Sequence, residues 1–190
     1  LDAGTDFDNM IKSAKSANKL VVPSVLWWGD SKQRPAMEKV LADDDLRGSI
    51  IYDLMSEVNK YGFDGIDIDY ENKTAETKDS FSKFLTEAAA ELHKNNKVLI
   101  CTIESRVPLE DKYATVTPEL VASVSYSNDF KVIGKVCDQV RIMAYDQDNT
   151  DVKLNTIRGP LYKPVADIDW VEKVLTYALW DIPGHKMIVG

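Results

Sequence analysis

The sequence predicts an α/β fold of parallel strands joined by helical crossovers. Three observations carry this. Apolar residues recur at helical spacing and then in strand-like runs, with the helix ahead of the strand each time. The alternation repeats along the chain to give five strands, as a parallel sheet with covered faces requires. The 190 residues, 44% of them apolar, suffice for one domain with a real core.

In chain order, Phe7, Met10, Ile11 and Ala14 recur at helical spacing ahead of residues 19–26, which read as a buried strand. Ile51, Leu54, Met55 and Val58 mark a helix face ahead of an acidic strand at 62–70. Phe81, Phe84, Leu85, Ala88 and Leu92 mark another ahead of a strand at 97–104. A shorter helical piece at 129–135 leads into a strand at 139–145, and Trp170, Val171, Val174, Leu175 and Ala178 lead into 186–189. Residues 147–169, which include Gly159-Pro160, carry few signals of either kind and read as a long loop of the sort that walls a cleft.

Composition excludes several function classes. A formal charge of −8 and a pI near 4.8 disfavour a nucleic-acid partner, which needs a basic patch. No apolar run is long enough for a membrane span, and the N-terminal residues lack a basic-then-apolar signal region. Cys101 and Cys137 have no metal-ligand spacing and read as free core residues. His93 and His185 stand alone without ligand partners, so the sequence asks for no metal and no other cofactor.

The most informative run is Asp64-Gly65-Ile66-Asp67-Ile68-Asp69-Tyr70-Glu71. In a strand, Asp67, Asp69 and Glu71 share one side while Ile66, Ile68 and Tyr70 share the other. Stacked carboxylates repel, so at least one is expected to keep a proton near neutral pH, as a general acid must. A solvated acidic edge strand or a metal site is the plain alternative.

The pattern D-G-x-D-x-D-x-E resembles the signature of glycoside hydrolase family 18, the chitinases and their relatives, and every fixed position is present at 64–71. A second segment, Gln139-Val140-Arg141-Ile142-Met143-Ala144-Tyr145-Asp146, is similar to the family's M-x-Y-D strand. The resemblance implies a TIM (β/α)8 barrel. A closed barrel takes eight strands and about 250 residues, so residues 1–190 are expected to form a single incomplete catalytic domain holding the third to seventh strands. The remainder is expected in a longer polypeptide, because an open parallel sheet would leave two unpaired edges.

The resemblance also implies an activity: cleavage of β-1,4 linkages in N-acetylglucosamine-containing glycans, with the substrate's own acetamido group as nucleophile. Glu71 would be the acid/base, Asp69 would orient the acetamido group, and Asp67 would support it from behind. Tyr145 and Asp146 would bind the acetamido group and neighbouring hydroxyls above Met143 on the floor. The expected partner is an N-acetylglucosamine oligo- or polysaccharide, and the expected location is secreted or cell-surface. A non-catalytic lectin-like relative, or a hydrolase of peptidoglycan or the N-glycan core, is the alternative; a third reading has residues 1–190 inactive by themselves because the absent strands carry part of the cleft.

Barrel chemistry sits at the carboxyl ends of the strands, which brings in further residues. Trp27 and Trp28 are candidates for stacking on a sugar, Trp28 the favoured one of the pair. Glu104 and Arg106 are candidates by placement alone, as subsite contacts or as a structural ion pair. Arg141 shares the inward parity of Met143 and Tyr145 and is expected to pair with Asp67. Trp170 and Trp180 are read as packing residues. The acceptor pattern Asn72-Lys73-Thr74 is read as unused, since a glycan there would block the cleft. The chain departs from the family where its usual S-x-G-G reads Ser24-Val25-Leu26-Trp27, so two glycines give way to bulky groups.

Overall fold

The computed structural model describes residues 5–159 and 161–190. In chain order its elements are α1 (Thr5–Ser16), β1 (Ser24–Trp28), α2 (Arg34–Ala42), α3 (Asp44–Tyr61), β2 (Gly65–Glu71), α4 (Lys78–Lys94), β3 (Val98–Glu104), α5 (Leu109–Lys112), α6 (Pro118–Ser123), α7 (Phe130–Val136), β4 (Gln139–Met143), α8 (Val152–Arg158), α9 (Ile168–Ala178) and β5 (Met187–Val189). The strands form one parallel sheet in sequence order, β1-β2-β3-β4-β5. This is the predicted arc of a (β/α)8 barrel.

One face of the sheet carries the core. Ile66, Ile68 and Tyr70 of β2 and Leu99, Cys101 and Ile103 of β3 are each no more than 3% exposed. They belong to one cluster with Ile51, Met55 and Val58 of α3 and Phe81, Phe84, Leu85 and Ala88 of α4. The Tyr70 ring stacks on Phe84 at 5.5 Å. Each of the Ile, Leu, Val, Met and Phe side chains among them stabilises the fold by about 1.5–3 kcal/mol on burial. The faces of α3 and α4 read from periodicity are therefore the faces that pack. Asp43 starts α3 by accepting from the amides of Asp45 and Leu46, and Gly62 ends it at φ 65, a left-handed turn into β2.

Several expectations are corrected. Strand β1 begins at Ser24 rather than residue 19, because Pro23 has no N–H to give the ladder. It is not buried on both faces, since Leu26 and Trp28 are 60% and 50% exposed. Met10 lies on the solvent side of α1. Helix α2, with proline in its first turn and Met37 and Leu41 buried, is additional to the elements the sequence predicts. So are α5, α6 and α8, which are too short to show periodicity. Helix α8 lies within the expected loop at 147–169, capped by Asp151 and pinned by buried Leu154; Pro160 falls outside the described residues. Trp170 is fully buried as expected, but Trp180 is exposed, its ring tilted against Tyr177 at 5.1 Å.

The cysteines are not free. Cys101 and Cys137 form a disulfide with Cα atoms 6.1 Å apart, joining β3 to the end of α7. Both side chains are buried on the helix-covered side, and their separation of 36 residues carried no signal that the fold would bring them together. His93 contacts Asp138 Oδ2 at 2.8 Å, the same oxygen that accepts the Leu99 amide, a contact that ties α4 to the start of β4.

Candidate active site

The other face of the sheet gathers polar side chains in layers set by strand parity. At the base, the Asp67 carboxylate is 1% exposed and accepts three hydrogen bonds. Ser24 Oγ and Arg141 Nη1 donate to Oδ2 at 2.6 and 2.8 Å, and Thr102 Oγ1 donates to Oδ1 at 2.9 Å. One carboxylate thus joins β1, β2, β3 and β4. The expected Arg141–Asp67 pair is present. Ser24 and Thr102 complete it, and strand parity was the signal that could have found them.

Two residues further along each strand, Leu26 is in register with Asp69, and Glu104 with Met143. Asp69 Oδ1 is buried without a hydrogen-bond partner among the described residues. Burial raises the pKa of Asp69, the charges of Asp67 and Glu104 raise it further, and the Lys73 ammonium opposes them. At the strand ends Trp28 is in register with Glu71. Glu71 is raised by burial first, then by Asp69 and Glu104, again against Lys73. Both carboxyls therefore hold a proton to higher pH than a free side chain.

Tyr145 stands just past β4, 42% exposed. Its phenol is raised by burial and then by Asp69, Glu71 and Asp146, so it sits in the field of the same carboxylates. Asp146 follows in the left-handed region at φ 53 and turns the chain away. The Trp27 ring packs edge-on against Tyr70 at 5.5 Å, whereas Trp28 is half exposed beside Glu71. Trp27 thus packs toward the core, and Trp28 lies exposed at the end of β1.

Glu104 and Arg106 are not directly paired. The Arg106 guanidinium lies over the rings of Tyr126 and Phe130 at 3.9 and 4.1 Å and donates to the Asn128 carbonyl at 2.6 Å. The Asn128 side-chain amide donates in turn to Glu104.

Sequence reasoning missed Lys73. It is 9% exposed, donates to the Tyr70 carbonyl, and sits 4.4 Å from the Phe81 ring centre. Burial lowers its pKa, while Glu104, Glu71 and Asp69 oppose that shift. A lone lysine two residues past a run of carboxylates was the available signal. Asn72 is held too: its side-chain amide donates to the Gly29 carbonyl at 2.8 Å. Among the described residues no group of three or more His, Cys, Asp or Glu could hold a metal ion.

The model of the family described as glycosyl hydrolases family 18 matches residues 3–190. A cortical fragment-lytic enzyme of Bacillus subtilis is 22% identical over 151 residues, 80% of this chain and 31% of that protein. A class V chitininase from Pseudomonas fluorescens superposes with a TM-score of 0.78 at 23% identity, covering 98% of this chain and 53% of that one. A catalytic domain of a group II chitinase from Ostrinia furnacalis, solved with a penta-N-acetylchitooligosaccharide, gives 0.70 at 17% identity, covering all of this chain and 49% of that one. The chain thus spans about a third of the curated relative and about half of the solved structures.

Proposed function

Because the chain belongs to the glycosyl hydrolases of family 18, we propose that it cleaves β-1,4 linkages beside N-acetylglucosamine by substrate-assisted, retaining catalysis. The observation that carries this reading is the pair of carboxyls at the end of β2, one raised toward the protonated form and one buried with an unused acceptor. Glu71 gives its proton to the glycosidic oxygen as the bond to the anomeric carbon breaks. The substrate's acetamido oxygen attacks that carbon from the other face, forming an oxazolinium ion. Asp69 accepts the acetamido N–H on its free oxygen and offsets the positive charge. Water then attacks the anomeric carbon, Glu71 takes its proton, and the ring opens with configuration retained.

Asp67, locked by three donors, is the fixed base under Asp69. Tyr145 donates from its phenol to the acetamido oxygen, Asp146 binds a hydroxyl, and Met143 closes the floor. Trp28 supplies a flat apolar face for a sugar ring.

The glycan is the open choice within this class. One relative is named for cortical fragments and another was solved with a chitooligosaccharide. Leu26, in register with Asp69 where the family pattern has glycine, narrows the space beside the reacting sugar. A secreted or cell-surface location is supported by the buried Cys101–Cys137 disulfide, which persists in oxidising compartments.

The decisive experiment compares chitooligosaccharides, muropeptides and N-glycan cores as substrates, then an aryl N-acetylglucosaminide with the matching glucoside. Cleavage of the former alone, with inhibition by an oxazoline-mimicking thiazoline, is expected. Equal cleavage of the glucoside would remove substrate assistance. Saturable binding of the oligosaccharide without any turnover would establish the lectin-like alternative.

A further inference from the structure

Strands β2 and β3 part company where the chemistry sits. Their pairing runs from Gly65 with Val98 to Ile68 with Cys101, whereas β1 stays in register with β2 as far as Glu71. Asp69, Tyr70 and Glu71 therefore project beyond the β2–β3 ladder, held by backbone bonds on the β1 side.

That side is tightly made. The Gly29 amide donates to the Glu71 carbonyl at 3.0 Å, and Asn72 Nδ2 donates back to the Gly29 carbonyl. A Cβ at Gly29 would lie 2.7 Å from the Asn72 carbonyl oxygen, so the two segments touch closely there. Arg34 Nε donates to the carbonyls of both Gly29 and Asn72.

On the open side one side chain spans the gap. Glu104, the last residue of β3, accepts the Asn72 backbone amide on Oε1 at 3.2 Å. Its other oxygen accepts from the side chain of Asn128, which is 2% exposed and whose backbone carbonyl is held by Arg106. Asn72 is at φ 57, so its amide sits on a tight left-handed corner immediately after Glu71.

We propose that Glu104 is a positioning residue for Glu71, a side-chain bridge that replaces the missing ladder and fixes the corner after the acid to the end of β3. This rests on the reading of Glu71 as the acid. An acid must stand within hydrogen-bond reach of the leaving oxygen, and displacement by about an ångström costs on the order of a hundredfold in rate. Both oxygens of Glu104 are engaged by protein donors, which sets it apart from a subsite ligand.

The charge of Glu104 has a second consequence. Glu71 faces Asp69 on its own strand, Glu104 on β3, Lys73 on the following loop, and Tyr145 beyond β4; Arg34 approaches from the β1 side through the Asn72 carbonyl. Among these Glu104 helps Glu71 keep its proton.

Glu104→Ala and Glu104→Gln, assayed on an aryl N-acetylglucosaminide, test the proposal. In E104A kcat is expected to fall at least tenfold with KM within about twofold of the wild type, and exchange of the Asn72 amide to accelerate at least tenfold while the Gly29 amide keeps its protection. E104Q, whose amide can accept from Asn72 and donate to a flipped Asn128, restores most of kcat but moves the alkaline limb of the rate to lower pH. A KM raised severalfold at unchanged kcat, in either variant, would make Glu104 a substrate contact and overturn the proposal. So would wild-type protection of Asn72 in E104A. If the wild type cleaves no N-acetylglucosaminide, the activity reading fails on its own, and Asn72 exchange still decides whether the bridge exists. If E104A does not fold, the kcat, KM and pH limb of E104Q decide.

Discussion

Arg141 Nη1 stands 2.8 Å from Oδ2 of Asp67, joining β4 to β2 across the intervening β3 although 74 residues separate the pair in sequence. Asp67 is buried while the Arg141 side chain is 38% exposed, so the arginine brings charge in from a partly wet edge. Losing the arginine leaves a buried carboxylate with two hydroxyl donors alone. Arg141→Met is expected to cost about 3 kcal/mol in urea unfolding, and Asp67→Asn in the same chain to return more than half of it. A single-variant cost below about 1 kcal/mol would show that Ser24 and Thr102 suffice.

The disulfide closes a loop across β3 and α7. By loop-closure entropy, a bridge spanning 36 residues stabilises the folded state by about 4 kcal/mol. Cys101→Ala with Cys137→Val should lower stability by about that much and leave the pH profile of turnover unchanged. A changed profile would mean that the bridge also shapes the acidic face.

Stability should depend on pH through Asp69 and Glu71. Both carboxyls have raised folded values, so the folded state binds their protons more tightly than the unfolded chain does. Their contribution is complete below the unfolded value of about 4 and is lost as pH rises through the raised values. Asp69→Asn is therefore expected to gain stability relative to the wild type between pH 4 and pH 7, read from urea midpoints. Parallel curves for the two proteins would contradict the assigned direction.

Lys73 lowers the proton affinity of Glu71. Lys73→Met, which removes the ammonium that lies over the Phe81 ring but keeps a side chain of similar length, should move the alkaline limb of the rate to higher pH. A limb that stays in place would mean that solvent screens the ammonium from the acid.

The two tryptophans should separate by assay. Trp28→Ala is expected to raise KM by about tenfold, some 1.4 kcal/mol of binding, with little change in unfolding. Trp27→Ala should cost about 3 kcal/mol of stability, because its ring packs on Tyr70 and the core. The reverse pattern would exchange their roles.

The parallel sheet was legible because Phe81, Phe84, Leu85 and Ala88 repeat at a helix period and the β2 residues alternate at a strand period. Parity alone also placed Arg141 beside Asp67. Helix α8 was not legible, since seven residues show less than two turns of pattern and its Asp151 cap reads like any loop aspartate. The cysteine bridge and the Glu104–Asn128–Arg106 chain were hidden for another reason. They depend on which loop residues meet across strands, and no local period encodes that. Lys73 was hidden because lysine is nearly always solvated, and only its neighbouring carboxylates and the Phe81 ring make burial tolerable.

Replacement of Glu71 by glutamine tests the assignment of the acid most directly. Turnover of an N-acetylglucosamine oligomer by Glu71→Gln should fall by at least a thousandfold, with substrate binding and unfolding midpoint retained. Hydrolysis within a few-fold of the wild type would remove Glu71 from the reaction.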